Sequence, residues 1–138
     1  FGLVGGEANS IEPNKRMLSS MTPTIVLKDK KPYLIVGSPG GSTIITTVLQ
    51  VIINVVDFEM NIQEAVDAPR IHHQWYPDQI DYERFSFTND TKANLGKMGH
   101  KFGKETSLGR AQCILIDSET GLIWGASDPR SFGKAIGY

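Results

Sequence analysis

The run GSPGGSTIITTVLQVIINVVDF, from Gly37 to Phe58, decides how the chain folds. Its many Ile, Val and Thr residues have strand propensity, but their order does not suit a strand. Laid out at about 100° per residue, Thr46, Thr47, Gln50, Asn54 and Asp57 gather within an arc of about 100°, and the apolar residues from Ile44 to Val56 fill about 200°. Strict alternation fails. The spacing predicts a helix over Thr43 to Phe58, buried on most sides and carrying one narrow polar seam.

Just before it, Thr24 to Lys28 and Tyr33 to Val36 are β-branched and aromatic runs around the polar Asp29-Lys30-Lys31-Pro32, the pattern of a hairpin. Downstream, a short helix is expected at Ile62 to Val66, stopped by Pro69, and irregular strand over residues 70–85. A helix follows from Thr88 to Met98. A second hairpin, Ala111 to Asp117 with Leu122 to Ala126, is placed around Ser118-Glu119-Thr120-Gly121. Residues 1–22 and the tail from Ser127 read as winding or turn-rich. Strands, a buried helix, smaller helices and strands again make an α+β fold in one domain.

The 138 residues, 40% hydrophobic, are enough for a real core and argue against disorder. With 14 basic and 15 acidic side chains, no net attraction to nucleic acid or anionic lipid is expected. No apolar stretch is long enough for a membrane helix. Cys113 is the single cysteine, so no internal disulfide or CxxC motif exists, and its apolar surroundings predict a buried, inert thiol. His72 and His73 lack the spacing and companions of a metal site, and no metal or cofactor is expected. In an extended segment their rings point to opposite faces. Ser127-Asp128-Pro129-Arg130 reads as a charged turn. With no initiating Met, the chain is expected to be a processed product or a segment of something longer.

Two loops could carry chemistry. Gly37-Ser38-Pro39-Gly40-Gly41-Ser42 joins a strand to a helix start, where unpaired N–H groups and close backbone approach can cradle a carboxylate or an oxyanion. A glycine-rich turn with no ligand reads the sequence equally well. Ser19 and Ser20, within Arg16 to Pro23, could hold a carboxylate; loop serines capping backbone groups are the plainer reading. No nucleophile elbow or complete catalytic set is present.

Phe1 to Asn9, Leu18 to Val26, Gly37 to Ser42, Val66 to Trp75 and Ala126 to Arg130 together resemble gamma-glutamyltranspeptidase, in order and along the whole chain to Tyr138. The resemblance implies an N-terminal-nucleophile hydrolase αββα sandwich, partial here and lacking the nucleophile strand. It makes residues 1–138 the C-terminal portion of the small subunit. The implied reaction is gamma-glutamyl transfer or hydrolysis of glutathione and related amides. Its nucleophile is a threonine, freed by self-cleavage of a precursor, that lies upstream, so none is in this chain. Gly40 and Gly41 would be the oxyanion hole and Ser19 and Ser20 the carboxylate holders. The large subunit of the same precursor is the expected partner, and the expected location is periplasmic or extracellular. Met17 stands where the family commonly has Pro, and Thr43 where Arg usually follows Gly-Gly-Ser, which puts strict glutathione specificity in doubt. A related acylase of cephalosporin or polyglutamate type, and a non-catalytic binding fragment, are the other readings.

Overall fold

The computed structural model describes residues 5–137; the opening residues Phe1 to Val4 and the terminal Tyr138 of the motifs above lie outside them. Strands β1 (Thr24–Lys28) and β2 (Lys31–Gly37) form the first hairpin, turning at Asp29 and Lys30, which both have positive φ. That pair of dihedrals matches the twist of the flanking strands. Helix α1 follows at Thr43–Val56, then α2 (Ile62–Asp67), β3 (Ile71–His72), β4 (Ile80–Tyr82), α3 (Asn89–Lys97), β5 (Phe102–Glu105), β6 (Gln112–Ile116) and β7 (Ile123–Ser127). Reciprocal capping starts α2: Asn61 Oδ1 accepts from Glu64 N–H at 2.9 Å and Glu64 Oε2 from Asn61 N–H at 3.2 Å.

The first sheet is antiparallel, in the order β1-β2-β6-β7. Its inner face supplies Leu34, Val36, Cys113 and Ala126, which pack on Val48, Val51 and Val55 of α1 and on Ile62, Ala65 and Val66 of α2. Its other face is also apolar: Ile25, Ile114 and Ile123 are exposed there. The second sheet, β3-β4-β5, pairs β4 with β5 in parallel and holds an edge-to-face trio of Tyr82, Phe87 and Phe102, with ring centroids 5.5–6.0 Å apart. The sequence reading has no counterpart for β5, whose Gly103 and two charged residues hide its pattern.

From Thr46 to Asn54 the polar seam of α1 is turned onto neighbouring backbone, and only Asp57 at its end is exposed. Gln50 bonds the backbone of Ile71 twice, donating to its carbonyl at 2.8 Å and accepting from its N–H at 2.9 Å, and so acts as a neighbouring strand would. Thr46 Oγ1 pairs with His72 Nδ1 at 2.8 Å, and Asn54 donates to the Ala65 carbonyl at 3.1 Å. Short elements leave backbone groups unpaired, and these side chains satisfy them. The face of α1 turned outward is instead apolar, with Ile45, Leu49 and Val56 exposed.

Candidate active site

The glycine turn is held by its carbonyls and open at its amides. Gly40 and Gly41 have φ of 147° and 60°, dihedrals that favour glycine. The Gly40 carbonyl accepts from Thr43 N–H at 3.2 Å and Thr43 Oγ1 at 2.9 Å. The Gly41 carbonyl accepts from Ile44 N–H at 3.3 Å and Ser20 Oγ at 2.7 Å. Neither glycine N–H donates a hydrogen bond among the described residues. Two adjacent, unspent donors therefore sit at the start of α1, whose dipole favours negative charge there.

The Ser20 bond brings together loops 21 residues apart. Its proton is committed to Gly41, so Ser20 keeps only its lone pairs for other partners, whereas Ser19 accepts from Met21 N–H at 3.2 Å and keeps its proton. Both serines thus cap backbone groups, the plainer sequence reading. One of them also fixes the Gly41–Ser42 peptide and so ties the end of the turn to the serine loop.

A third segment, Thr106 to Arg110, lies against the turn. Arg110 N–H donates to Ser38 Oγ at 2.9 Å, and Ser38 Oγ donates to the Pro39 carbonyl at 2.7 Å. Gly109, at φ 69°, passes so close to α1 that a Cβ there would strike Thr47. Between this segment and the turn runs a cleft of about 410 Å³ that also reaches Thr43 and Asp81.

Four charged side chains anchor the segment from behind. Arg70, 1% exposed, pairs with Asp128 at 2.7 Å and donates to the carbonyls of Leu108 at 2.8 Å and Val66 at 2.6 Å. Arg130 grips Glu83 through two bonds of 2.6 Å and reaches Asp128 at 3.1 Å. The carboxylates in turn take the N–H groups of Leu108, at 2.7 Å to Glu83, and Ala111, at 2.6 Å to Asp128. Burial pushes the Glu83 carboxyl up, but bonds from Arg130, Leu108 N–H and Arg70 N–H outweigh it and hold the group below its ordinary value. Burial likewise opposes ionisation of Asp128 and is outweighed by Arg130 N–H, Arg70 and Ala111 N–H. Arg70 is lowered, by burial first and then by the like charge of Arg130. The expected charged turn at 127–130 is therefore one half of a buried ion cluster, whose partners Arg70 and Glu83 lie about fifty to sixty residues earlier.

The sequence model of gamma-glutamyltranspeptidase matches residues 1–138. The chain belongs to that family. It is 52% identical over 131 residues to the glutathione hydrolase proenzyme of Escherichia coli (strain K12), covering 95% of this chain and 22% of that protein. A solved mutant of Helicobacter pylori gamma-glutamyltranspeptidase superposes with a TM-score of 0.88 at 54% identity, covering 94% of this chain and 70% of that one. Cephalosporin acylase from Bacillus halodurans shares the fold at a TM-score of 0.78 and 31% identity, over 88% of this chain and 23% of its own. The chain spans about a quarter of the length of the glutathione hydrolase proenzymes it matches first. The α+β class read from the sequence is that of the structure, whose helices and sheets superpose on both of these solved proteins.

Within this family member, His72 is buried between Thr46 and Gln74 while His73 faces outward to Asp78. Cys113 is buried, and desolvation pushes its thiol up to about 12. It is expected to resist alkylation by iodoacetamide at pH 8 until the chain is unfolded in urea; rapid labelling of native protein, read by mass spectrometry, would contradict this. No group of three or more potential metal ligands is present among the described residues. The sequence reading missed Arg70, Glu83 and the 106–110 segment. The available signal was the doubled Pro-Arg pair, Pro69-Arg70 and Pro129-Arg130, each beside a small apolar residue or an acid.

Proposed function

We propose that this chain is the C-terminal portion of the small subunit of a gamma-glutamyltransferase/glutathione hydrolase. The acyl-enzyme forms on an N-terminal threonine encoded upstream, whose own amine serves as its general base. Gly40 and Gly41 N–H groups stabilise the oxyanion of the tetrahedral intermediate. Ser19 and Ser20 form the site of the alpha-carboxylate of the glutamyl group, Ser19 donating the proton it keeps and Ser20 lying beside it with its own proton on the Gly41 carbonyl. The observation that carries this reading is the pair of unspent glycine amides braced by Ser20. The exposed apolar faces of the first sheet and of α1 support it too, because such faces need cover from a second sheet and a partner subunit. The proposed partner is the large subunit of the same precursor, and the proposed location is periplasmic or extracellular.

The test is expression of the coding region extended upstream. The extended protein is expected to cleave itself and release p-nitroaniline from gamma-glutamyl-p-nitroanilide, whereas the 138 residues alone release none above the buffer blank. An extended protein that is cleaved but hydrolyses only a glutaryl-cephalosporin would move the assignment to the acylase reading.

A further inference from the structure

An oxyanion donor is only as useful as its aim, and a backbone amide is aimed by the carbonyl of its own peptide. In a trans peptide the C=O and N–H point in opposite directions, so a group that holds the carbonyl also holds the amide. Gly40 N–H shares its plane with the Pro39 carbonyl, and Gly41 N–H shares its plane with the Gly40 carbonyl; both peptides are trans. Each of these carbonyls takes a hydroxyl. Ser38 Oγ donates to the Pro39 carbonyl at 2.7 Å, and Thr43 Oγ1 donates to the Gly40 carbonyl at 2.9 Å.

Such clamps matter at this turn because little else restrains it. Gly40 and Gly41 have no side chains to hinder rotation, and both precede α1 rather than lie within it. The Pro39 carbonyl accepts from no other group among the described residues, whereas the Gly40 carbonyl also takes Thr43 N–H at 3.2 Å. The Ser38 hydroxyl is itself held. Arg110 N–H donates to its oxygen at 2.9 Å, and the N–H of the next residue, Ala111, is tied to buried Asp128 at 2.6 Å. With one lone pair taken in this way, the hydroxyl proton has the Pro39 carbonyl as its partner. A hydrogen bond accepted at a carbonyl also polarises the peptide, strengthening the N–H of the same plane by about 10–30%. Ser20 has a different task, since the Gly41 carbonyl it holds shares a plane with Ser42 N–H.

We propose that Ser38 and Thr43 are positioning residues of the oxyanion turn, Ser38 aiming Gly40 N–H through the Pro39 carbonyl and Thr43 aiming Gly41 N–H through the Gly40 carbonyl. In this role neither hydroxyl touches the substrate; each acts through one peptide plane. Ser38 carries the larger share, because its carbonyl has one bond where that of Gly40 has two. These roles rest on the oxyanion reading of the preceding subsection and extend it to the side chains that hold the donors in place.

The experiment uses the self-cleaved, upstream-extended protein with gamma-glutamyl-p-nitroanilide as substrate. A boronic acid analogue of the glutamyl group, whose tetrahedral adduct imitates the oxyanion, serves as inhibitor. Ser38→Ala is expected to lower kcat about tenfold, the scale of one hydrogen bond, with KM unchanged and the thermal melt within a few degrees of wild type. Its inhibition constant for the boronate is expected to rise by the same factor, because the lost aim counts only in the tetrahedral state. Ser38→Thr, which keeps the hydroxyl, is expected to restore most of kcat. Thr43→Val, which keeps the shape and loses the hydroxyl, is expected to lower kcat about threefold, since Thr43 N–H still holds the carbonyl. Wild-type kcat in both Ser38→Ala and Thr43→Val, in an enzyme that Gly41→Val cripples, would overturn the clamps and leave the oxyanion turn standing. So would a raised KM at unchanged kcat, which would put the hydroxyls on the substrate. If Ser38→Ala does not cleave itself, Thr43→Val decides on the same measurements. Wild-type kcat in Gly41→Val would remove the turn from the mechanism, and both roles with it.

Discussion

Gly41→Val in the upstream-extended, self-cleaved protein is expected to lower kcat for gamma-glutamyl-p-nitroanilide by at least about a hundredfold, the loss that follows removal of one oxyanion donor. The donor is a backbone N–H, so the substitution acts through shape. At φ 60° a β-branched residue is strained by about 1–2 kcal/mol. The turn relaxes by rotating the two peptides that flank residue 41, one carrying its amide and the other the carbonyl that takes the 2.7 Å bond from Ser20, so the donor is turned away and that bond is lost. Gly40 is no more tolerant, since a Cβ there would run into Thr43 Oγ1. The core lies elsewhere, on β2, β6, α1 and α2, so the thermal melt of the variant is expected to shift by only a few degrees. A folded, cleaved variant turning over at near the wild-type rate would remove the glycine turn from the mechanism.

The second large effect is on stability. Asp128→Ala leaves Arg70 buried with its charge uncompensated and the Ala111 N–H without an acceptor. Breaking a buried pair from one side costs about 3–5 kcal/mol, and urea denaturation followed by circular dichroism is expected to show a loss of that size. A loss below about 1 kcal/mol would mean that water reaches the cluster and screens it. The same residues set the acid limit. Glu83 and Asp128 are both held below their ordinary values in the folded protein, so their contribution is complete above the ordinary carboxylate range. It is lost as the pH falls below that range and through the lowered folded values. Glu83→Gln is expected to flatten this acid limb in a urea series between pH 7 and pH 3. Because Leu108 N–H and the Leu108 carbonyl hang on Glu83 and Arg70, loss of the cluster also loosens the segment that faces Gly40.

The elements were legible wherever a local rule was strong. Alternating β-branched runs with polar turns located both hairpins, and the arc of Thr46, Gln50 and Asn54 marked α1 as a helix. The same arc was open to misreading in its environment, because a polar stripe on a helix face ordinarily meets water. Here it meets the unpaired backbone of Ile71 and Ala65. β5 was not legible at all, since its partner β4 lies some twenty residues away and its four residues carry little pattern of their own.

For the site, the order of residues along the chain determined which chemistry is available: a glycine pair before a long helix, a serine pair before a strand, and a single inert thiol. Those are properties of neighbours in sequence, fixed by backbone freedom and hydrogen-bonding capacity over a few residues. Only the tertiary structure decided that Ser20 closes on Gly41, that Arg70, Glu83, Asp128 and Arg130 form one buried cluster, and that Arg110 and Asp81 share a cleft with Gly40. Each of those meetings spans about twenty to seventy residues. Their loop-closure entropy is offset by core packing elsewhere, so nothing in the local sequence announces them.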